Sequence, residues 1–260
     1  MPNPVVLFVV DGLRPDALDA ALTPTLQGLM RRGAYTLSAR TVMPSVTLPC
    51  HVSLFSGVEP SRHGITTNLY TPPARPVPSL FEVAHGAGLK TGSFYNWEEL
   101  RDLARPGALD VAVHLGNCHD AEGVGDTELA ELAAQRLRRQ PLDLVFVYLG
   151  YVDIAGHDHG WMSAPYLRGV ANADRCIAHV LAALPPDAAV IVTADHGGHG
   201  RSHGTEDDAD MTIPVILAGN DVSPSGQWQR PVSILDLAPT IARLLGLAAP
   251  SVWEGAPLLE

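Results

Sequence analysis

Three apolar runs in this chain each end on residue types that bind metal ions. Val5-Val6-Leu7-Phe8-Val9-Val10 closes on Asp11, and Leu144-Val145-Phe146-Val147-Tyr148-Leu149 is followed by Asp153 and His157. Ala189-Val190-Ile191-Val192-Thr193 runs into Asp195 and His196, with His199 and His203 just behind. Read as strands of an open α/β sheet, these runs deliver their ligands to one edge, because such sheets bind ligands at the carboxyl ends of their strands. Carboxylate oxygens mixed with imidazole nitrogens suit a divalent cation, with Zn²⁺ the first candidate and Mn²⁺ the second.

A fourth segment, Met43-Pro44-Ser45-Val46-Thr47-Leu48-Pro49-Cys50-His51, offers a nucleophile. Pro49 suits a helix that starts near Thr47, so free backbone N–H groups and the positive end of the dipole would face whatever Thr47 meets. That is a cradle for a phosphoryl group and a help to an alkoxide. Thr47 can equally be an N-cap and nothing more. Ser45 is a competing cap or nucleophile, and Cys50, one turn into the helix, reads more readily as a packed thiol.

The elements that must position these groups alternate strand and helix. Thr23-Pro24-Thr25-Leu26-Gln27-Gly28-Leu29-Met30 predicts a helix with a Thr cap and Pro at its first position. Asp126 or Thr127 would cap a second helix carrying Leu129, Leu132, Ala133 and Leu137 on one face, stopped by Pro141. A third begins near Ser163-Ala164-Pro165, and Asp174 interrupts its apolar stripe, most simply as an acceptor for neighbouring backbone. Ile213–Ala218 reads as a late strand, and Asp236–Leu245 as a last helix closed by Gly246. The expectation is one α/β domain over residues 1–260, with a mostly parallel central sheet covered by helices on both faces. Residues 69–140 leave room for a small cap-like region.

Composition narrows the function. A net charge of −11, from 17 basic and 28 acidic residues, argues against stable nucleic-acid binding, which needs a basic surface. Small anionic substrates stay open, since bound cations invert local electrostatics. Cys50, Cys118 and Cys176 are too few and too scattered for a disulfide framework, so a reducing compartment is favoured. The first apolar run, six residues long, reads as a strand and not as a leader or membrane span, which makes cytoplasm the expected location.

Together with Asp11-Gly12-Leu13-Arg14-Pro15-Asp16, the Thr-x-Pro turn at Thr47, Pro60-Ser61-Arg62-His63-Gly64-Ile65, Asp153-Ile154-Ala155-Gly156-His157, Asp195-His196-Gly197-Gly198 and His203-Gly204-Thr205 form an ordered set. This set resembles the alkaline phosphatase superfamily, and within it the type I phosphodiesterase/nucleotide pyrophosphatase branch. The resemblance implies an alkaline phosphatase-like fold and two divalent cations. One would be held by Asp11, Asp195, His196 and the nucleophile Thr47, the other by Asp153, His157 and His203. It further implies that Asn68 donates its amide to a phosphoryl oxygen, and that hydrolysis passes through a phosphothreonine.

The activity so implied is cleavage of phosphodiester or phosphoanhydride bonds in a small phosphate-ester or nucleotide-like substrate. Two departures matter. His203 follows His196 by only seven residues, where many nucleotide pyrophosphatases carry a long insert, and Cys50 lacks the Cys-x-Pro-x-Arg pattern of formylglycine sulfatases. A phosphomonoesterase or phosphonocarboxylate hydrolase on the same scaffold is the nearest alternative, with Arg40, Arg62, Arg75 and Arg201 as possible partners for a second negative charge. A mutase, or a metal-binding domain without turnover, lies further off. Tyr70, Phe94, Tyr95, Trp97, Tyr151 and Trp161 are candidates to stack on a base or simply to pack. His199 and His159 read as neighbours of the ligands, and His51 and His63 as structural.

Overall fold

A computed structural model describes residues 3–220, 222 and 226–259. Its strands are β1 (Val5–Val10), β2 (Ala34–Arg40), β3 (Thr91–Tyr95), β4 (Val111–His114), β5 (Leu144–Leu149), β6 (Ala189–Thr193), β7 (Thr212–Ala218) and β8 (Gly226–Gln227). They form one sheet in the order β4-β3-β5-β1-β6-β7-β2-β8. All neighbours pair in parallel except β7, which runs antiparallel to both β6 and β2. This is the mostly parallel α/β architecture read from the sequence. Every residue of β1, β5 and β6 is buried, which is why these runs are apolar throughout and do not alternate.

The helices are α1 (Ala17–Ala20), α2 (Pro24–Arg32), α3 (Thr47–Ser56), α4 (Pro60–His63), α5 (Leu80–Gly86), α6 (Val124–Arg139), α7 (Tyr151–His159), α8 (Ala164–Leu181), α9 (Asp208–Met211) and α10 (Leu237–Leu244). One group, α2, α6 and α7, packs on α8; another joins α3, α5 and α10. Within residues 69–140, α5, β3, β4 and α6 belong to the sheet or its cover. Among the described residues no helix is long and apolar enough to cross a membrane.

Register carries the ligand-bearing ends to one place. Val10 pairs with Leu149, and Val9 with both Tyr148 and Thr193, so β5, β1 and β6 end side by side. Asp11, Asp153 and Asp195 therefore leave the sheet at its carboxyl edge, in the middle of the strand order.

Two caps differ from the sequence reading. Thr23 precedes α2 but makes no cap, because its hydroxyl donates instead to the Leu18 carbonyl at 2.7 Å. The α2 amides of Thr25 and Leu26 donate to the Asp174 carboxylate of α8, at 3.2 and 2.8 Å. Asp174 thus interrupts its stripe in order to cap a neighbouring helix. Asp126 likewise does not cap its own helix: Gly123 occupies that position, and Thr127 donates to the Gly123 carbonyl. Losing a carboxylate that caps a helix costs about 1 kcal/mol. Asp174→Ala should therefore lower Tm by about 2–4 °C in a thermal melt; an unchanged Tm would show that α2 does not need this cap.

Candidate metal centre

Asp11 follows β1 directly, and its Oδ2 accepts a short hydrogen bond from the Tyr148 hydroxyl of β5. Gly12 turns the chain at φ +68°, a conformation that favours glycine. A Cβ there would also lie 3.1 Å from the Asp153 Cα. The Gly12 N–H donates to Asp195 Oδ1 at 3.2 Å, and its carbonyl accepts from Trp161 Nε1 at 2.9 Å and the Tyr166 hydroxyl at 3.0 Å. One glycine thus ties the first carboxylate turn to the third and to the wall formed by Trp161.

The imidazoles share one arrangement. His196 donates from Nδ1 to the Gly197 carbonyl (2.8 Å), His203 to Ser45 (2.9 Å) and His157 to Arg201 (2.9 Å). With Nδ1 taken by a carbonyl, each Nε2 is the nitrogen that faces the carboxylates, as a metal-binding imidazole requires. His196 Nε2 lies 3.3 Å from Asp11 Oδ1, from Asp195 Oδ2 and from Thr47 Oγ1. His203 Nε2 lies 3.6 Å from Asp153 Oδ1, and His157 Nε2 lies 3.4 Å from Asp153 Oδ2. Trp161 stands edge-on to both His157 and His203, and the rings of His196 and His203 stack 3.8 Å apart.

All seven ligand candidates from the sequence meet here. Asp11, Asp195 and His196 offer ligand atoms within 4.8 Å of one another, and so do Asp153, His196 and His203. His196 therefore belongs to both groups, while His157 reaches only Asp153 and is partly exposed. Thr47 is the first residue of α3, as the sequence predicted. Its helix is not the open amide cradle expected, however. The Leu48 N–H donates to Asn68 Oδ1 at 3.0 Å, Pro49 has none, and the Cys50 N–H is already bonded to the Val46 carbonyl. What the helix start does instead is hold Asn68 by its oxygen, leaving the Asn68 NH₂ group for the cleft.

The cleft has a volume of about 100 Å³ and is lined by Asp11, Thr47, Asn68, Trp97, Asp153 and His157 among others. Among the described residues no lysine or arginine lines it. Arg40 pairs with Asp208, and Arg62 with Glu254. Of the aromatic candidates only Trp97 lines the cleft; Phe94 and Tyr95 are buried, and Trp161 is buried against Gly156 and Gly198. His199 pairs with Asp210 at 2.7 Å, and His51 donates from Nδ1 to the Thr47 carbonyl at 2.8 Å. Tyr148 and Tyr166 are the functional neighbours that the sequence reading passed over. For Tyr148 the usable signal was a tyrosine inside a wholly buried apolar strand, whose hydroxyl must find a partner.

The donors fit divalent cations. Asp11 Oδ1, Asp153 Oδ1 and Asp195 Oδ2 are buried without a hydrogen-bond partner. Burial pushes all three carboxyls up, helped by Asp195 at Asp11, by Asp11 at Asp153 and by Asp153 at Asp195, whose value reaches about 8. Burial, then His196, pushes His203 down to about 3, so it stays a neutral donor at neutral pH.

A model of type I phosphodiesterase/nucleotide pyrophosphatase proteins matches residues 5–97, and a metalloenzyme superfamily model matches residues 110–249. The chain belongs to the metalloenzyme superfamily of alkaline phosphatase type. It is 27% identical over 222 residues to human ectonucleotide pyrophosphatase/phosphodiesterase family member 1, covering 75% of this chain and 23% of that protein. It is 26% identical over 193 residues to phosphopentomutase of Symbiobacterium thermophilum, covering 74% of this chain and 46% of the relative. The chain thus spans about a quarter to a half of the length of these curated relatives. Among solved structures, an inactive form of murine ectonucleotide pyrophosphatase/phosphodiesterase 5 in complex with AMP superposes with a TM-score of 0.80 at 16% identity, over 95% of this chain and 96% of that one. A 2-O GAG sulfatase superposes with a TM-score of 0.76 at 18% identity, over 99% and 73%. These two likenesses establish the metalloenzyme fold.

The raised carboxyls give a pH test of the metalloenzyme site. A carboxyl whose folded pKa lies above its unfolded value contributes stability that is fully present below the unfolded pKa of 3.8 and is lost as pH rises toward about 8 for Asp195. Metal-free protein should therefore lose at least about 3 °C in Tm between about pH 5.5 and 8, the shift that roughly 1 kcal/mol makes in a domain of this size. Zn²⁺ should raise Tm most at the alkaline end. A metal-free Tm that does not fall across this window would show that the carboxylates need no cation.

Proposed function

We propose that this chain is a two-cation hydrolase of phosphodiester or phosphoanhydride bonds with Thr47 as nucleophile. The observation that supports it best is the meeting of three unpartnered buried carboxylate oxygens, three inward-facing imidazoles and the Thr47 hydroxyl at and just beneath a cleft that, among the described residues, no lysine or arginine lines. Asp11, Asp195, His196 and Thr47 would hold one cation, and Asp153, His157 and His203 the other. The oxygen and nitrogen donors favour Zn²⁺, then Mn²⁺. Bound there, the cations would keep the carboxylates ionised, favour loss of the Thr47 proton and offset charge on the phosphoryl oxygens.

The chain's own groups then divide the work. Thr47 Oγ1, 3.3 Å from His196 Nε2 at the start of α3, attacks phosphorus while the P–O bond to the departing alkoxide breaks, and the proton that Thr47 loses passes through solvent to that alkoxide, which leaves as the alcohol. Asn68, fixed through Oδ1 by the Leu48 amide, donates from Nδ2 to a nonbridging oxygen without adding charge. Water then attacks the phosphothreonine, freeing the Thr47 oxygen and a phosphomonoester. A monoanionic diester matches this charge inventory better than a dianionic monoester, which would call for a lysine or arginine at the phosphoryl group.

The substrate is read as a small phosphate ester or nucleotide-like molecule, with Trp97 beside one of its substituents. Three free, buried cysteines are consistent with a reducing compartment, and cytoplasm is the location we assign.

The Zn²⁺-loaded protein should prefer bis-p-nitrophenyl phosphate to p-nitrophenyl phosphate in kcat/KM. Thr47→Ala should lower turnover by at least about 10³-fold while retaining bound metal. A monoester preference, or an active Thr47→Ala, would overturn this reading.

A further inference from the structure

Asp126 is a fully buried carboxylate that lies outside the cleft and has no part in the chemistry described above. It sits on α6 yet binds across to the start of α7. Its Oδ1 accepts from the Gly150 N–H at 3.1 Å and from Asn96 Nδ2 at 2.8 Å, and its Oδ2 accepts from the Tyr151 N–H at 3.3 Å. Those two amides open the helix on which Asp153 and His157 stand one turn apart.

The helix cannot cap itself. Gly150 holds the N-cap position and no side chain caps α7 from within. A Cβ at residue 150 would lie 2.9 Å from the Tyr148 ring, 3.1 Å from Asn96 Oδ1 and 3.2 Å from Cys118 Cβ. The space that a capping Ser, Asp or Asn would need is filled, so the acceptor must come from elsewhere.

We infer that Asp126 is a positioning residue for the Asp153, His157 and His203 cation group: by capping α7 from α6 it sets the angle at which Asp153 and His157 enter the cleft. The inference rests on the metal reading above. Removing Asp126 would strand two buried amides and the Asn96 NH₂ group, and relieving them requires the first turn of α7 to move. Asp153, in that same turn, would move with it. Asp11 and Asp195 hang from β1 and β6, and do not depend on this cap.

The same chain supplies a control. Asp174 caps α2 in an equivalent way, through two backbone amides, and α2 carries no ligand candidate. A change at Asp174 therefore reports the stability cost of losing a buried cap without disturbing the cation groups.

The experiment is Zn²⁺ titration against a competing chelator for the wild type, Asp126→Asn, Asp126→Ala and Asp174→Ala, with Tm recorded for each. The wild type should bind two equivalents. Asp126→Ala should bind one as the wild type does and the other about 10–100-fold more weakly, the range found when groups that orient metal ligands are removed. Asp126→Asn, which keeps one acceptor oxygen but sets an NH₂ group against the other amide, should fall in between, and it carries the test if the alanine variant does not fold. Asp174→Ala should lose Tm yet bind both equivalents as the wild type does. If folded Asp126 variants bind both equivalents with wild-type affinity, or if Asp174→Ala weakens binding as much, the inference is wrong while the metal reading stands. A wild type that binds no cation overturns the metal reading and the inference with it.

Discussion

Three carboxylates buried side by side are the constraint on which the rest of this structure depends. Asp11, Asp153 and Asp195 leave neighbouring strand ends with almost no solvent around them, and mutual repulsion and burial both oppose their ionisation. Each is half anchored by the protein. Tyr148 holds Asp11 Oδ2, the Gly12 amide holds Asp195 Oδ1, and His157 faces Asp153 Oδ2, while the remaining oxygen of each carboxylate has no partner. Charge left uncompensated in this way is costly unless a cation completes it. The half-anchoring also lowers the entropy lost on binding, because the free oxygens already face one another.

The surroundings are arranged around that requirement. Gly12 turns with positive φ against Asp153, whose Cα would lie only 3.1 Å from an added Cβ, and its backbone is then shared among Asp195, Trp161 and Tyr166. Trp161 fills the space over Gly156 and Gly198 and stands against His157 and His203, so a large side chain outside the sheet fixes the orientation of two imidazoles. Asp210 accepts from Thr205 and His199, pinning the loop that presents His203. Strand register alone brings the ligands near one another; these contacts aim them.

What could be read from the sequence was whatever depends on chain order and pattern. Continuous apolar runs mark fully buried parallel strands, and ligand-type residues just past their ends must share an edge, so the sheet and the Asp and His candidates behind β1, β5 and β6 were legible before any coordinates, while the preference for His203 over His199 and the ligand role of Thr47 came from the resemblance to a family. Relations between elements distant in sequence were not. Asp174 sits 149 residues from the Thr25 amide it accepts from, and Asp126 sits 25 residues from Tyr151; each looked like a local cap or an interruption of its own helix. The amide cradle at Thr47 failed for a related reason. Helix geometry predicts free N–H groups at its start, but it cannot show that Asn68, folding back from 20 residues away, has taken one.

His196 is where the sequence division into two ligand sets meets its limit. Chain position assigns it with Asp195 to the first group, yet it lies within ligand distance of Asp153 and His203 as well, and its ring stacks on His203. Its Nε2 also faces Thr47 Oγ1, so the nucleophile and both ligand groups converge on one imidazole whose other nitrogen is fixed by the Gly197 carbonyl. A side chain in that position can move only as its strand end moves. The step of only seven residues from His196 to His203 keeps the two rings stacked 3.8 Å apart, so the two ligand groups share a wall.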